Sequence, residues 1–336
     1  MNIAIVILNW NGKQLLEQFL PSIIAYSDPS YSTIYVADNA STDDSMAFIR
    51  AQYPEITIIQ NSRNGGYAKG YNDALKSVKE EIYALVNSDI EVSANWLIPI
   101  RNMYLSHEEI AIIQPKILDF KQKDLFEYAG AAGGFIDKYG YPYCRGRIFD
   151  SIEKDEDQYN DTLPIFWASG ACFFIKNKVF HELGGFDEDY FAHQEEIDLC
   201  WRAQNLGLSI YYNGQSTVYH VGGATLNELN PQKTYLNFRN SLCNLVKNCP
   251  KKGLFLLIFT RLILDGIAGV KFMMELKPRH TYAIIRAHFS FYTRLSMMLN
   301  KRDYQRQKTD YYGSKSIVWD YFIKGNKKFI FTKENR

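Results

Sequence analysis

Strand-like and helix-like segments alternate from Ile3 to Val86, and this alternation constrains the fold more than any other feature of the chain. Ile3–Leu8, Thr33–Ala37, Ile56–Ile59 and Ile82–Val86 are short runs of β-branched and aliphatic residues. Between them, Lys13–Tyr26, Asp43–Tyr53 and Tyr67–Lys79 place apolar residues at helical spacing. Such alternation predicts an α/β fold, with a Rossmann-like, mostly parallel sheet covered by helices on both faces. Ligands of such sheets bind beyond the carboxyl ends of the strands. The polar residues that directly follow each run therefore carry most of the functional information. They are Asn9-Trp10-Asn11-Gly12, Asp38-Asn39-Ala40-Ser41 and Asn87-Ser88-Asp89.

Farther along, residues 115–165 are irregular and rich in Gly and Tyr, which predicts loops and short antiparallel strands. The acidic stretch Asp150–Asp161 reads as a mobile surface loop. Phe166–Ile175 has a strand pattern, Glu195–Asn205 a helical one, and Ser209–Tyr219 a strand pattern ending at His220.

The net charge of +1 hides a sharp split. Residues 1–246 hold 19 Lys/Arg against 31 Asp/Glu, a net −12, and residues 247–336 hold 19 against 6, a net +13. Two regions with different partners are expected, divided as 1–245 and 246–336. Within the basic region, Arg261, Asp265, Lys271 and Glu275 fall on one arc of a helix running from Leu254 to Met274, and the rest of that surface is nearly all apolar. Two readings compete: a core-packing helix with one wet face, or a helix lying in a membrane interface. Surrounding bases, among them Lys247, Lys251, Lys252, Lys277, Arg279 and Arg286, favour an anionic membrane surface over nucleic acid. The charges at Arg261, Asp265 and Lys271 interrupt the roughly 18 apolar residues that a membrane span needs. Five cysteines without Cys-x-x-Cys spacing argue against a disulfide framework or zinc site, and no charged leader precedes Ile3. A cytoplasmic protein, peripheral on the inner face of the plasma membrane, is the expectation.

Several side chains carry candidate chemistry. Asp89 follows a strand, where it would suit a hard cation bound between carboxylate and phosphate oxygens, or equally a turn or helix cap. Asp38 would accept a hydrogen bond from a base or ribose, or cap the next helix. Asn64-Gly65-Gly66-Tyr67-Ala68-Lys69-Gly70-Tyr71-Asn72 is a glycine-rich entry to a helix, suited to close approach of a phosphate with Lys69 adding charge. It is not a Walker A loop, and no Gly-x-Gly-x-x-Gly follows the first strand, which argues against a dinucleotide oxidoreductase. Glu195, Glu196 and Asp198 gather at a helix start, where like charges raise one carboxylate towards the range of a general base. Asp198 with Arg202 reads as a structural pair. His220 is open to metal ligation or to simple packing.

The order of these segments resembles the family 2 glycosyltransferases of the GT-A (nucleotide-diphospho-sugar transferase) fold, in particular a bacterial rhamnosyltransferase-like branch. The resemblance covers about residues 1–245. It rests on Ile7–Gly12, Val36–Asp43, Asn64–Asn72, Asn87–Asp89, Ser169–Ala171, Leu183–Asp187, Glu195–Arg202 and Tyr219–Gly223. It implies that Leu8 and Trp10 line a nucleotide pocket, that Asp38 meets the base, and that Asn64, Lys69 and Ser88 lie along the donor. It also implies that Asp89 and His220 hold a divalent cation, Mn²⁺ or Mg²⁺, and that Glu196 is the catalytic base, with Glu195 the alternative. Asn87 stands where the family's Asp-x-Asp motif has its first carboxylate. The implied reaction is inverting hexosyl transfer from a UDP- or dTDP-linked sugar to a glycan or lipid-linked glycan in cell-surface polysaccharide synthesis. The rival readings are a sugar-nucleotidyltransferase and a catalytically weak glycan- or membrane-binding scaffold. The oligomeric state is left open, a dimer being one option.

Overall fold

The computed structural model describes residues 1–222, 230–303 and 305–330. Gly223, the last residue of the sequence motif at His220, lies outside them. The first half runs β1 (Ile3–Asn9), α1 (Lys13–Ala25), β2 (Ser32–Asp38), α2 (Ser45–Gln52), β3 (Thr57–Gln60), α3 (Gly66–Ala74), β4 (Ile82–Asn87), β5 (Ile90–Val92), α4 (Leu97–Ser106) and β6 (Ile110–Asp119). Four short strands follow, β7 (Gly134–Ile136), β8 (Pro142–Cys144), β9 (Arg147–Ile148) and β10 (Ser151–Ile152), pairing in an antiparallel sheet. Then come β11 (Thr162–Pro164), β12 (Cys172–Lys176), α5 (Asn177–Glu182), α6 (Glu195–Asn205) and β13 (Ser209–His220). The chain continues with α7 (Pro231–Asn248), α8 (Leu254–Met274), α9 (Pro278–Asn300) and α10 (Ile317–Phe322).

The main sheet is ordered β11-β13-β6-β12-β4-β1-β2-β3, with β5 also on β13. Strands β3, β2, β1 and β4 pair in parallel, β12 is antiparallel to both β4 and β6, and β13 is parallel to β6. Alternation along β1 sends Ile3, Ile5 and Ile7 to one face, into a core with α1 and α4. Ala4 and Val6 go to the other face, against α3 and α6. A sheet buried on both faces explains why its strands read as continuous apolar runs.

Two segments differ from the sequence expectation. Residues 166–171 are not part of a strand, and β12 begins at Cys172. Trp167 instead bridges to Gly134, and the Ser169 amide donates to Gln114 Oε1 at 2.8 Å. The acidic stretch Asp150–Asp161 is anchored rather than loose, because Lys116 binds Asp155 at 2.7 Å and Arg145 grips Asp161 at 2.6 and 3.0 Å.

Helix α7 runs across the expected boundary at 245/246. Leu242, Cys243 and Val246 share one apolar cluster with Tyr190 of the preceding region and with Phe291 and Met298 of α9. Leu245, Cys249, Tyr311 and Ile317 join the main core. The basic region thus has no core of its own among the described residues. Several of its charges also turn inward. Lys247, expected at an anionic surface, is buried against Asp187 and Asp198 at 2.7 and 2.9 Å. Arg302 is buried on the carbonyls of Val246 and Cys249.

Candidate active site

Every candidate site residue lies on or next to the carboxyl edge of the parallel strands, or on the loops and helices facing it. At the end of β4, Asp89 is nearly buried, and its Oδ1 lies 3.2 Å from His220 Nε2 at the end of β13. The backbone ties the same two loops together, with the Val221 amide donating to the Asp89 carbonyl at 3.2 Å. The other ring nitrogen, His220 Nδ1, lies 3.2 Å from Glu127 Oε1 but outside good hydrogen-bond geometry. Burial alone would lower the His220 pKa, yet the carboxylates of Glu127 and Asp89 outweigh it and hold it at about 10. Glu127 was not legible in the sequence. It sits in the irregular loop after β6, and only folding brings it to His220.

This donor set fits a hard or borderline divalent cation. Asp89 would supply a carboxylate and His220, once a cation displaces its Nε2 proton, an imidazole, the two converging from two strand ends with Glu127 on the far side of the ring. Because Glu127 faces the other nitrogen, the protein offers two ligands on one side, and the remaining positions would fall to phosphate oxygens.

The base candidates open helix α6. Glu195 is buried, its Oε2 has no hydrogen-bond partner, and burial followed by the Glu196 charge pushes its pKa well above the carboxylate range. Glu196 is partly exposed, and burial lifts its pKa to about 7 against the pull of backbone amides at the helix start. A carboxylate that titrates near neutrality is suited to general-base work. A Cβ placed on Gly170 would lie 3.8 Å from Glu196 Cβ and 3.2 Å from the Tyr67 hydroxyl, and that hydroxyl donates to the Gly170 carbonyl at 2.7 Å. The next residue, Ala171, accepts from the Asn87 amide at 2.9 Å. The Ser169-Gly170-Ala171 turn thus connects Glu196 to β4, whose last residue, Asn87, stands two before Asp89. Tyr67 belongs to the glycine-rich loop, and the sequence alone did not single it out.

The loop before α6 is held from outside. Phe191, His193 and Gln194 all adopt positive φ, at 65°, 66° and 74°. Left-handed backbone at non-glycine residues costs of order 1 kcal/mol each and persists only where neighbours enforce it. Helix α7 does so here. Asn240 Nδ2 donates to the carbonyls of Tyr190, Ala192 and His193 at 3.2, 3.0 and 2.7 Å. Asn244 donates to the Gln194 carbonyl at 3.2 Å and accepts from the Tyr190 hydroxyl at 2.7 Å. As expected, Asp198 is structural: burial opposes its ionisation, but Arg202 and Lys247 hold its pKa down at about 2.

The donor-side residues divide into two groups. Trp10, just past β1, is 51% exposed and offers a flat ring for stacking. Leu8 and Ser88 are half-buried, and Gly12 lies so close to Asn9 and Ser88 that an added Cβ would meet Asn9 Oδ1 at 2.4 Å. Asp38, by contrast, is fully buried and engaged on both oxygens, accepting from Asn9 at 3.2 Å, from the Ser41 amide at 3.0 Å, and from Gln60. It positions the ends of β1 and β2. Asn64 Oδ1 accepts from the Gly66 amide at 2.9 Å, shaping the start of α3. Lys69 is held by Asp73 at 2.9 Å and lies 3.6 Å from Glu188, so its charge is already matched by carboxylates.

The family model described as glycosyltransferase like family 2 matches residues 1–235. The chain belongs to this family. Its enzyme class is therefore glycosyltransferase. The N-acetylglucosaminyl-diphospho-decaprenol L-rhamnosyltransferase of Mycobacterium tuberculosis is 23% identical over 242 residues, covering 66% of this chain and 77% of that one. The rhamnosyltransferase WbbL of Escherichia coli K12 is 25% identical over 221 residues, covering 62% and 80%. Among solved structures, the mannosyltransferase PcManGT of Pyrobaculum calidifontis, in complex with GDP-Man and Mn²⁺, superposes with a TM-score of 0.54 at 13% identity, covering 87% of each chain. GalNAc-T7 with UDP, GalNAc and Mn²⁺ gives 0.54 at 17% identity, over 65% of this chain but only 43% of that one. These likenesses confirm the GT-A fold.

Proposed function

We propose that this glycosyltransferase moves one hexosyl group from a UDP- or dTDP-linked sugar to a hydroxyl of a lipid-linked glycan, with inversion, in cell-surface polysaccharide synthesis. The observation that carries the reading is the pairing of an ionisable base, Glu196, with a cation-suited carboxylate–imidazole pair, Asp89 and His220, across the Ser169–Ala171 turn. Glu196 takes the proton of the acceptor hydroxyl. The oxygen attacks the anomeric carbon from the face opposite the diphosphate, the carbon–oxygen bond to the diphosphate breaks, and the nucleoside diphosphate leaves. Asp89 and His220 would hold a divalent cation, which when bound neutralises charge on the departing diphosphate. Glu127 faces the far nitrogen of the His220 ring, Trp10 stacks on the nucleobase, and burial with the Glu196 charge disfavours ionisation of Glu195 beside the general base.

The acceptor assignment draws support from the mycobacterial relative, whose name specifies a diphospho-decaprenol-linked N-acetylglucosamine acceptor and L-rhamnosyl transfer. Thermal-shift screening of UDP, dTDP and GDP sugars with Mn²⁺ tests the donor side. A uracil or thymine donor should raise Tm by several degrees, because a ligand that binds only the native state stabilises it. Asp89→Ala should lose that shift. An unchanged Mn²⁺-dependent shift in the variant would remove Asp89 from the donor site.

A further inference from the structure

Helix α8 is built inside out. The first half of its charged arc, expected on the wet side, faces the protein, Arg261 being 3% exposed and Asp265 fully buried, whereas Lys271 and Glu275 at its far end stay exposed. Arg261 Nε binds Asp265 at 2.8 Å, its Nη1 reaches the Tyr139 carbonyl and Ser241 Oγ at 2.8 and 2.9 Å, and its guanidinium lies 3.7 Å from the centre of the Tyr141 ring. Tyr141 and His288 complete the contacts to Asp265 at 2.9 and 3.3 Å. The opposite arc is apolar and open to solvent. Phe255 is 85% exposed, Met274 80%, and Leu276 just beyond the helix 89%. Leu256, Ile263 and Ile267 continue the same face between them.

The neighbouring helices extend this surface. On α9, Tyr282, Ile285, Phe289 and Tyr292 form an exposed stripe. Ile285 and Tyr292 are one turn beyond Thr281 and His288, the residues that bond to α8, so the stripe borders the seam between the helices. Lys271 lies 5.9 Å over the Phe322 ring, which brings the exposed end of α10 alongside. Contiguous exposed apolar surface on this scale marks a contact site.

The charge around it selects the partner. Exposed Lys252 precedes α8, while Lys271, Lys277 and Arg279 cluster where α8 turns into α9. Lys271 and Lys277 share a single carboxylate, Glu275, leaving the turn net positive. A second copy of the chain would place like charges together at this rim, whereas an anionic bilayer would neutralise them. No described helix is long and apolar enough to cross a membrane, so the geometry is that of a helix lying in the interface. We infer that the outward faces of α8 and α9 dock the protein in the plane of an anionic lipid bilayer, with α8 buried to its apolar arc.

Flotation of the full chain with phosphatidylglycerol–phosphatidylcholine vesicles, beside pure phosphatidylcholine vesicles, tests it. The wild type should float with the anionic vesicles. The triple variant Leu256→Glu/Ile267→Glu/Met274→Glu should lose partitioning by about a hundred-fold or more, since each change removes several buried CH₂ groups and adds a charge. Its nucleotide-induced thermal shift should match the wild type, showing that the fold is intact. Lys271→Glu/Lys277→Glu should weaken binding to anionic vesicles and leave phosphatidylcholine binding unaltered. A wild type that stays at the bottom, or a triple variant that floats equally well, overturns the inference. So does light scattering that shows a wild-type dimer turned monomeric by the same substitutions without any flotation, because the face would then bind a second copy.

Discussion

Helices α7 and α8 follow one another in the chain and both turn polar side chains inward, yet they do opposite things with the rest of their surface. The polar groups of α7, Asn240, Asn244 and Lys247, reach the loop and helix that carry Glu195 and Glu196. Its last turns are covered on nearly all sides. The buried polar groups of α8, Arg261 and Asp265, reach instead Tyr139, Tyr141, Ser241 and His288, and its apolar side is left bare. Net charge groups the two helices in one basic region, but the contacts separate them. Helix α7 packs into the body that carries Glu195 and Glu196, and α8 leaves its apolar arc exposed.

The strongest challenge to this contrast is Arg261→Ala. It would leave Asp265 buried without its main partner, which costs about 3–5 kcal/mol. Urea denaturation should show that loss. A change below about 0.5 kcal/mol, the range of ordinary surface substitutions, would place Arg261 in water and undo the inward reading of α8. Next in size is Asn240→Ala. It removes the donor to three loop carbonyls, at about 1–3 kcal/mol, and frees the positive-φ segment before Glu196. Turnover should fall about 10–100-fold through misplacement of the base, with nucleotide affinity kept. Unchanged kcat would detach α7 from the site. The smallest effect belongs to the outward glutamates on α8, which should move stability by no more than about 0.5 kcal/mol while abolishing vesicle binding.

The legible and illegible parts of this molecule follow the range of the interactions involved. Strands β1 to β4 and helices α1 to α3 were readable because their periodicity is local, and α6 was readable from a run of acids followed by helical spacing. Asp89 and His220 were readable as residues at strand ends, and the pairing of β5 with β13, which sets His220 opposite Ile90, then brings them together. Glu127 was not, because nothing in its neighbourhood signals that it will face His220. Glu195 is buried and Glu196 partly exposed, a difference that adjacent positions in a helix do not reveal. The wheel of α8 showed one charged arc but not that Arg261 and Asp265 turn inward while Lys271 and Glu275 stay wet, since that depends on partners far away in sequence. Lys247 misled for the same reason: its partners Asp187 and Asp198 come from other elements.

The central claim is that Glu196 is the ionisable base of a transferase whose donor is held independently of it. The most direct test compares Glu196→Gln with the wild type in two measurements, calorimetric binding of nucleoside diphosphate with Mn²⁺ and turnover with a true acceptor across pH. The wild-type rate should fall as pH drops through about 7, where Glu196 takes up its proton. The variant should keep its nucleotide affinity and lose turnover by about 10²–10⁴-fold. Turnover near the wild-type level, or a wild-type rate that stays flat through neutral pH, would contradict the assignment.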